Sequence, residues 1–142
     1  MQKKYLAIAA AVILSAGLTL TVQLSPNPHT IYTRRLPELT QTVETLLENS
    51  SVAQPDIPGV QSVTYWDGEN PIIEFTTCTS GIVPSSGYYG LYYSVSGSPA
   101  AFQNTDQPLT RAEDGLYWQA EGDNWGKTTR LDGHWFTFEA HF

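Results

Sequence analysis

The chain has one cysteine in 142 residues, Cys78, and few cations: seven Lys and Arg against 14 Asp and Glu. A single cysteine excludes an intramolecular disulfide framework and a cysteine-rich zinc site. The net charge of −7 argues against sequence-independent nucleic-acid binding, because that binding needs clustered cations to replace phosphate counterions. The length leaves room for one ordinary domain, which excludes large multidomain enzymes.

Cations are scarce above all in the middle of the chain. No Lys or Arg occurs between Leu36 and Thr110, whereas eight acidic residues do. Without the first 24 residues, five Lys and Arg remain against 14 Asp and Glu, a net charge of −9. We therefore expect a basic partner or a neutral glycan to suit this protein better than an acidic polymer, and we expect no nucleic-acid partner.

Residues 1–24 are predicted to be a membrane anchor or signal segment. Residues 5–24 carry no charge, Lys3 and Lys4 precede them, and about 20 apolar residues in a helix span a hydrocarbon core. The lysines are expected on the cytoplasmic side, which places the C-terminal domain outside a single-pass cell-membrane protein. A cleaved signal peptide and a secreted protein are the alternative, because Ser15-Ala16-Gly17 supplies small residues that a signal peptidase accepts.

Residues 25–59 are predicted to be a connector that contains one amphipathic helix, residues 36–49. Pro26 and Pro28 are expected to end the leader helix near Leu24, whereas Pro37 suits the first turn of the amphipathic helix. We expect the apolar stripe of this helix to pack against a sheet. The stripe consists of Leu36, Leu39, Val43, Leu46 and Leu47.

From residue 60 onward the apolar pattern has a period of two, which predicts β-strands. Asp-Gly dipeptides beginning at Asp67, Asp114 and Asp132 favour tight turns, because glycine accepts a positive φ. The predicted strands are 60–66, 72–78, 88–95, 100–103, 116–120, 127–131 and 134–142. The predicted fold class is α+β, mainly β: a leader helix, one amphipathic helix and an antiparallel meander of six or seven short strands in domain 60–142.

Aromatic residues are concentrated in this β domain, since 15 of the 17 lie at or beyond Tyr65. In the last strand Phe136, Phe138, Ala140 and Phe142 share one face, which we expect to point to the core. A small core cannot cover all the rings, so we predict that some form a binding surface. The predicted binding residues are Trp66, Tyr88, Tyr92, Trp118, Trp125 and Trp135.

Cysteine and histidine do not predict a catalytic or metal site. Cys78 would need His134 or His141 as its base, and no catalytic signature surrounds it. The two histidines are seven residues apart on one predicted strand, so they face opposite sides and cannot share an ion. We predict no metal and no cofactor.

Acidic residues offer two further hypotheses. Asp123, Asn124 and Asp132 would supply oxygen ligands to calcium, but EF-hand spacing is absent and such residues commonly form turns. Glu74 and Glu139 are the only acids inside strands among aromatic residues, and a glycosidase would need them across a cleft. The sequence has no phosphate loop and no dinucleotide fingerprint. We therefore name no catalytic residue.

Four stretches carry a family resemblance: Cys78 followed by SGIVPSSGYYGLYYS at 80–94, PAAFQ at 99–103, residues 115–126, and HWFTFEAHF at 134–142. On these residues, 72–142 resembles a group of small exported proteins from Gram-positive, clostridia-like bacteria whose function is not known. The resemblance covers about half of the chain. It implies export and no particular activity, ligand or catalytic residue.

The leader and the aromatic excess together predict an extracytoplasmic, membrane-anchored module that binds a partner and is not an enzyme. One alternative is that the aromatic sheet face contacts carbohydrate or the cell wall. Another is a structural accessory subunit of a membrane complex. The predicted partners are the membrane, through the N-terminal helix, and a protein or a glycan.

Overall fold

The computed structural model describes residues 27–49, 54–82 and 84–142. They form one helix and a single antiparallel sheet of seven strands, which confirms the prediction of a mainly β fold with one helix. The elements are α1 (Pro28–Glu48), β1 (Ser62–Trp66), β2 (Ile72–Ile82), β3 (Ser85–Ser94), β4 (Thr110–Ala112), β5 (Gly115–Gln119), β6 (Trp125–Asp132) and β7 (Trp135–His141). A short 3₁₀ turn, Phe102–Asn104, lies between β3 and β4.

The predicted anchor or signal segment, residues 1–24, lies outside the described ranges. In the part of the chain that the structure describes, no helix is both long enough and apolar enough to cross a bilayer.

Helix α1 begins at Pro28, eight residues before the predicted start. Asn27 caps it, because its side-chain oxygen accepts the backbone N–H of His29 at 2.9 Å. Pro28 occupies the first turn, where a missing N–H costs nothing. The proline that was expected to end a helix therefore begins one. Pro37 lies inside α1, and the helix kinks at Arg35, where the backbone leaves helical geometry.

The strand order across the sheet is β1-β2-β3-β7-β6-β5-β4. It consists of two antiparallel meanders, β1–β3 and β4–β7, which meet where β3 pairs with β7. The prediction of one continuous meander is therefore wrong at this point. The last strand lies in the middle of the sheet because Phe136, Phe138 and Ala140 are apolar enough to be buried there.

The predicted strands differ most from the observed ones in three places. Strands β2 and β3 extend as far as the pair formed by Ile82 and Ser85, through described residues that were expected to form a loop. Residues 100–103 were predicted to be a strand. Instead, Phe102 and Gln103 belong to the 3₁₀ turn and residues 100–101 lead into it, because Gln103 and Asn104 adopt a positive φ that no strand allows. The edge strand β4 was not predicted.

One face of the sheet is covered by α1. Ile31, Leu39, Val43 and Leu46 are the buried residues of the helix, and they belong to a core that includes Phe75 of β2. The same core holds Ile57, Val63, Ile73, Leu91 and Trp135. The predicted packing of the apolar stripe against a sheet is therefore confirmed. Leu47, the last stripe residue, is exposed.

The other face is covered by the segment between β3 and β4, residues 95–109. Phe102 is buried in a second core with Tyr92, Phe136 and Phe138. The Tyr92 ring stacks on Phe136 with centroids 5.0 Å apart. Its hydroxyl accepts the Ala100 N–H at 2.9 Å, which ties the covering segment to the sheet. Burial raises the pKa of Tyr92 to about 12, so this hydroxyl keeps its proton at any physiological pH.

We expect Gly90→Ala to destabilise the protein by about 1–3 kcal/mol, since a methyl group there would overpack the sheet centre. An added Cβ would lie 2.7 Å from the Phe138 ring and closer still to the Phe75 carbonyl oxygen. Urea unfolding measures the loss. Gly87→Ala in the same strand is the control, because its nearest neighbours are side-chain atoms of Ser80 and Tyr89 that can move. Equal losses in the two variants would contradict the packing argument.

Candidate functional site

The six predicted binding residues do not form one surface. Tyr92, Trp118 and Trp135 are buried core residues. Burial removes Tyr92 and Trp135 from any exposed contact face. Trp66 and Tyr88 are half-buried and pack against the second core. Only Trp125 is a half-buried ring that belongs to neither core.

Trp125 is part of a row of rings that crosses four strands. From β3 to β5 the row consists of Tyr89, His141, Trp125 and Tyr117. The centroids are 5.6 Å apart for Tyr89 and His141, 4.3 Å for His141 and Trp125, and 6.2 Å for Trp125 and Tyr117. The row lies on the face that α1 covers. Leu91 and Trp135 belong to the core under α1, and residues an even number apart on a strand share a face. Tyr89 is two residues from Leu91, and His141 is six residues from Trp135. All four rings are half-buried.

The charged groups beside the ring row are paired with one another. Lys127 Nζ lies 2.6 Å from Asp114 Oδ2, and the Tyr117 hydroxyl donates to the same carboxylate at 3.2 Å. The hydrogen bond from Lys127 holds the pKa of Asp114 below its ordinary value. His141 Nε2 lies 3.4 Å from Glu139 Oε1. The ring row is therefore an apolar stripe beside paired polar groups, of which Lys127 and Asp114 form an ion pair.

A cavity of about 620 Å³ opens at the edge of β5, next to the end of the ring row. This volume lies within the range of small-molecule sites. Among its lining residues are three aromatic rings, a hydroxyl and a primary amide. The lining residues are Pro108, Thr110, Tyr117, Trp118, Gln119 and Trp125. Two of the six predicted binding residues, Trp118 and Trp125, thus meet here, although Trp118 is only 5% exposed.

The cavity exists because β4 is shorter than its partner. Thr110 pairs with Tyr117 at the end of the ladder, and the rest of β5 extends beyond it. Pro108 has no N–H for the ladder, so pairing cannot continue through it. On the inner side of β5, Gly126 lies opposite Trp118, and the indole occupies the space that a Cβ at position 126 would need.

A second groove, of about 300 Å³, lies between α1 and residues 54–57. It carries Glu38 and Asp56 and no aromatic ring. The Gln54 amide spans one end, where it donates to the Val63 carbonyl at 2.9 Å and accepts the Val63 N–H at 2.8 Å. This amide pairs with the outer edge of β1 as a neighbouring strand would, so we assign the groove a structural role.

Glu74 is the most perturbed acid of the described residues. It is 4% exposed and lies under the covering segment, where its Oε2 accepts the Gln103 N–H at 3.2 Å. Burial raises its pKa from 4.5 to about 7, against the opposing effects of the Gln103 N–H and the Trp66 indole. Glu139 lies on the opposite face of the sheet, since Glu74 pairs with Tyr92 and Tyr92 pairs with Phe136. The two carboxyl groups therefore cannot flank one glycosidic bond.

The calcium hypothesis also fails on geometry. Asp123 and Asn124 precede β6 and Asp132 ends it, so about 26 Å of extended strand separates Asn124 from Asp132. Among the residues that the structure describes, no group of three or more His, Cys, Asp or Glu side chains could hold a metal ion.

The cavity was not predicted, although the sequence carries its signals. Pro108 marks where an edge strand can begin, and Asp114-Gly115 is a turn that needs a strand on each side. Only the strand after that turn was predicted. Thr110 and Gln119 were missed for this reason, because neither has a chemical signature of its own.

Comparisons of the chain with protein-family models, with curated proteins and with solved structures found no match.

We expect the free energy of unfolding to fall as the pH rises from about 5 to 8, because the native state holds a proton on Glu74 that the unfolded chain releases above pH 4.5. A pKa near 7 in the folded state makes the loss on the order of 3 kcal/mol. Urea unfolding at both pH values measures it. Glu74→Gln should remove most of this slope, and Glu139→Gln, on the other face, should not. A slope that is unchanged in Glu74→Gln would contradict the assignment.

Proposed function

We propose that this protein is an extracytoplasmic, membrane-anchored binding module that is not an enzyme and that takes an uncharged ligand into the cavity at the β5 edge. The observation that carries the proposal is the chemistry of the cavity lining. Tyr117, Trp118 and Trp125 offer apolar ring surface, and the Gln119 amide and Thr110 hydroxyl offer hydrogen bonds. This is the combination of an apolar wall and a few polar groups that ligand sites use.

The lining favours recognition over catalysis. It contains no carboxylate, histidine or cysteine, so no side chain there has an ordinary pKa suited to acid–base chemistry near neutral pH. Glu74 does have a raised pKa, but it lies on β2, buried under residues 101–104, and is not among the residues that line the cavity. Glu139 pairs with His141 in the ring row.

A neutral glycan is the ligand class that fits this lining best. Sugar rings present apolar faces and hydroxyl groups, which match aromatic rings and an amide. A basic peptide would find no carboxylate among the lining residues to neutralise it, and an acidic polymer would meet Glu121 and Asp123 in the adjoining turn. The predicted protein partner and the predicted accessory-subunit role lack a comparable matching surface.

The sequence supports the location of this module. Residues 5–24 are uncharged and long enough to span a bilayer, with Lys3 and Lys4 on the cytoplasmic side. The resemblance of 72–142 to small exported proteins points to the same compartment.

We expect Trp125→Ala to weaken binding of a neutral oligosaccharide by about tenfold or more, since loss of an aromatic contact at a binding site costs at least about 1.4 kcal/mol. Calorimetric titration of the full chain with glucose and N-acetylglucosamine oligomers measures the affinity, and an uncharged peptide of similar size tests the protein alternative. Trp125 belongs to neither core, so the variant should keep its fold.

His134→Ala is the matched control. His134 is an exposed ring that stacks on Tyr93 at the opposite end of the sheet, with centroids 5.3 Å apart. Its loss should leave the affinity unchanged. Binding of the peptide alone would replace the glycan with a protein partner, and no binding by either class would overturn the proposed use of the cavity.

A further inference from the structure

Two arginines lie on the same face of the sheet, the face that residues 95–109 cover. Arg111 of β4 lies directly opposite Leu116 of β5, and Arg130 of β6 lies directly opposite Phe136 of β7. Directly opposite residues share a face, and Phe136 belongs to the second core under the covering segment. Leu116 shares this face because it lies opposite Thr128, two residues from Arg130 on β6.

The two arginines line a cavity of about 330 Å³. Pro99 of the covering segment, Leu116 and Phe136 give this cavity an apolar wall. Its volume is at the lower end of the range of small-molecule sites, which suits a ligand of about one ring. It shares no lining residue with the cavity at the β5 edge, so it is a separate place on the molecule.

Arg130 is held in place before any ligand binds. Its guanidinium donates to the Gly133 carbonyl and, at 3.0 Å, to the Gly97 carbonyl. The guanidinium carbon lies 4.5 Å from the centre of the Phe136 ring, a cation–π contact. The two carbonyls use two of the five N–H groups, so three remain for a ligand. A side chain that is already fixed loses little conformational entropy on binding.

The acids that neighbour these arginines in the sequence are engaged on the opposite face. Asp114 lies 2.6 Å from the Lys127 ammonium, beside the ring row. Asp132 accepts the Tyr32 hydroxyl of α1 at 3.4 Å. Within residues 27–49, 54–82 and 84–142, no ion pair joins either cavity arginine to a carboxylate. Both guanidinium charges are therefore available to an anion.

The charge of the lining matches a ligand with one negative charge. Glu113 also lines the cavity, so two arginines and one carboxylate leave a net charge of +1. A guanidinium binds a carboxylate through paired N–H groups, which gives geometric selectivity as well as attraction. The domain as a whole is acidic, but repulsion from charges beyond about 8 Å is largely screened at physiological salt.

We propose that this cavity binds a small organic monocarboxylate, whose carboxylate pairs with Arg111 and Arg130 and whose apolar body packs on Pro99 and Leu116. Arg111 is exposed and makes no hydrogen bond with the described residues, so its side chain can turn toward the fixed Arg130. The proposal does not depend on the glycan site, because the two cavities have different lining residues.

Three probes separate the two parts of this recognition. Benzoate has a ring and one negative charge, benzamide has the ring without the charge, and inorganic phosphate has charge without a ring. Titration of the isotope-labelled full chain, followed by amide chemical shifts, measures affinity and location together. We expect benzoate to shift the amides of Leu116 and Thr128 and to bind at least about tenfold more tightly than either other probe. Benzamide or phosphate binding as tightly as benzoate would overturn the proposal.

Arg111→Gln should weaken benzoate binding by about tenfold and keep the fold, because this side chain is exposed. Arg34→Gln is the matched control, since it removes the same charge from an exposed site on α1, over the opposite face. Equal losses in the two variants would contradict the proposed contact, because net charge alone would then explain them.

Two further results would also overturn this site. One is the absence of benzoate binding, and the other is a set of shifts confined to Tyr117 and Trp125, which would place benzoate in the cavity at the β5 edge. Neither result bears on the affinity of that cavity for a neutral oligosaccharide, which the Trp125→Ala titration measures by itself.

Discussion

Seven residue pairs along β3 and β7, from Gly87 with His141 to Tyr93 with Trp135, hold the two halves of this sheet together. The first meander is closed by β3 and the second by β7, so without this ladder the chain would have two small sheets, each with its own open edge. Because β7 is flanked by β3 and β6, its residues lie at the centre, far from either edge. Both of its faces must then be covered, since Trp135 is buried on one and Phe136 on the other.

The two covers are unequal, and this difference creates the surfaces that are available for function. On one face α1 packs over β1, β2 and β3, and its Tyr32 ring contacts Trp135 of β7. The far half of that face is left to the ring row. On the other face, residues 95–109 form a covering segment held by Phe102, by the Tyr92 hydroxyl and by Glu74. This segment returns to the sheet at Pro108, too late to pair with all of β5, and the cavity is the gap that remains.

The sequence predicts the mainly β fold. It does not predict which segments cover the two faces of the sheet. The alternation in the last strand placed Phe136, Phe138, Ala140 and Phe142 on the core face. The structure confirms this burial for the first three, whereas Phe142 is 39% exposed. The same alternation says only that Trp135 faces the other way, and a helix happens to cover that face as well. Trp118 is buried because Gly126 lies across the strand from it, a pairing that is not visible before the register is known. The cavity depends on where β4 ends, and strand ends are set by long-range pairing.

Acidic residues lie at both ends of the sheet. Asp67, Glu69 and Asp132 lie in or beside turns at one end, and Glu121 and Asp123 lie in the β5–β6 turn at the other. A domain with a net charge of −9 is repelled by an anionic surface. Beside the ring row the acidic charge is partly offset, because Lys127 Nζ lies 2.6 Å from Asp114. The cavity next to this pair has no charged side chain in its lining, which is why the proposed ligand is uncharged.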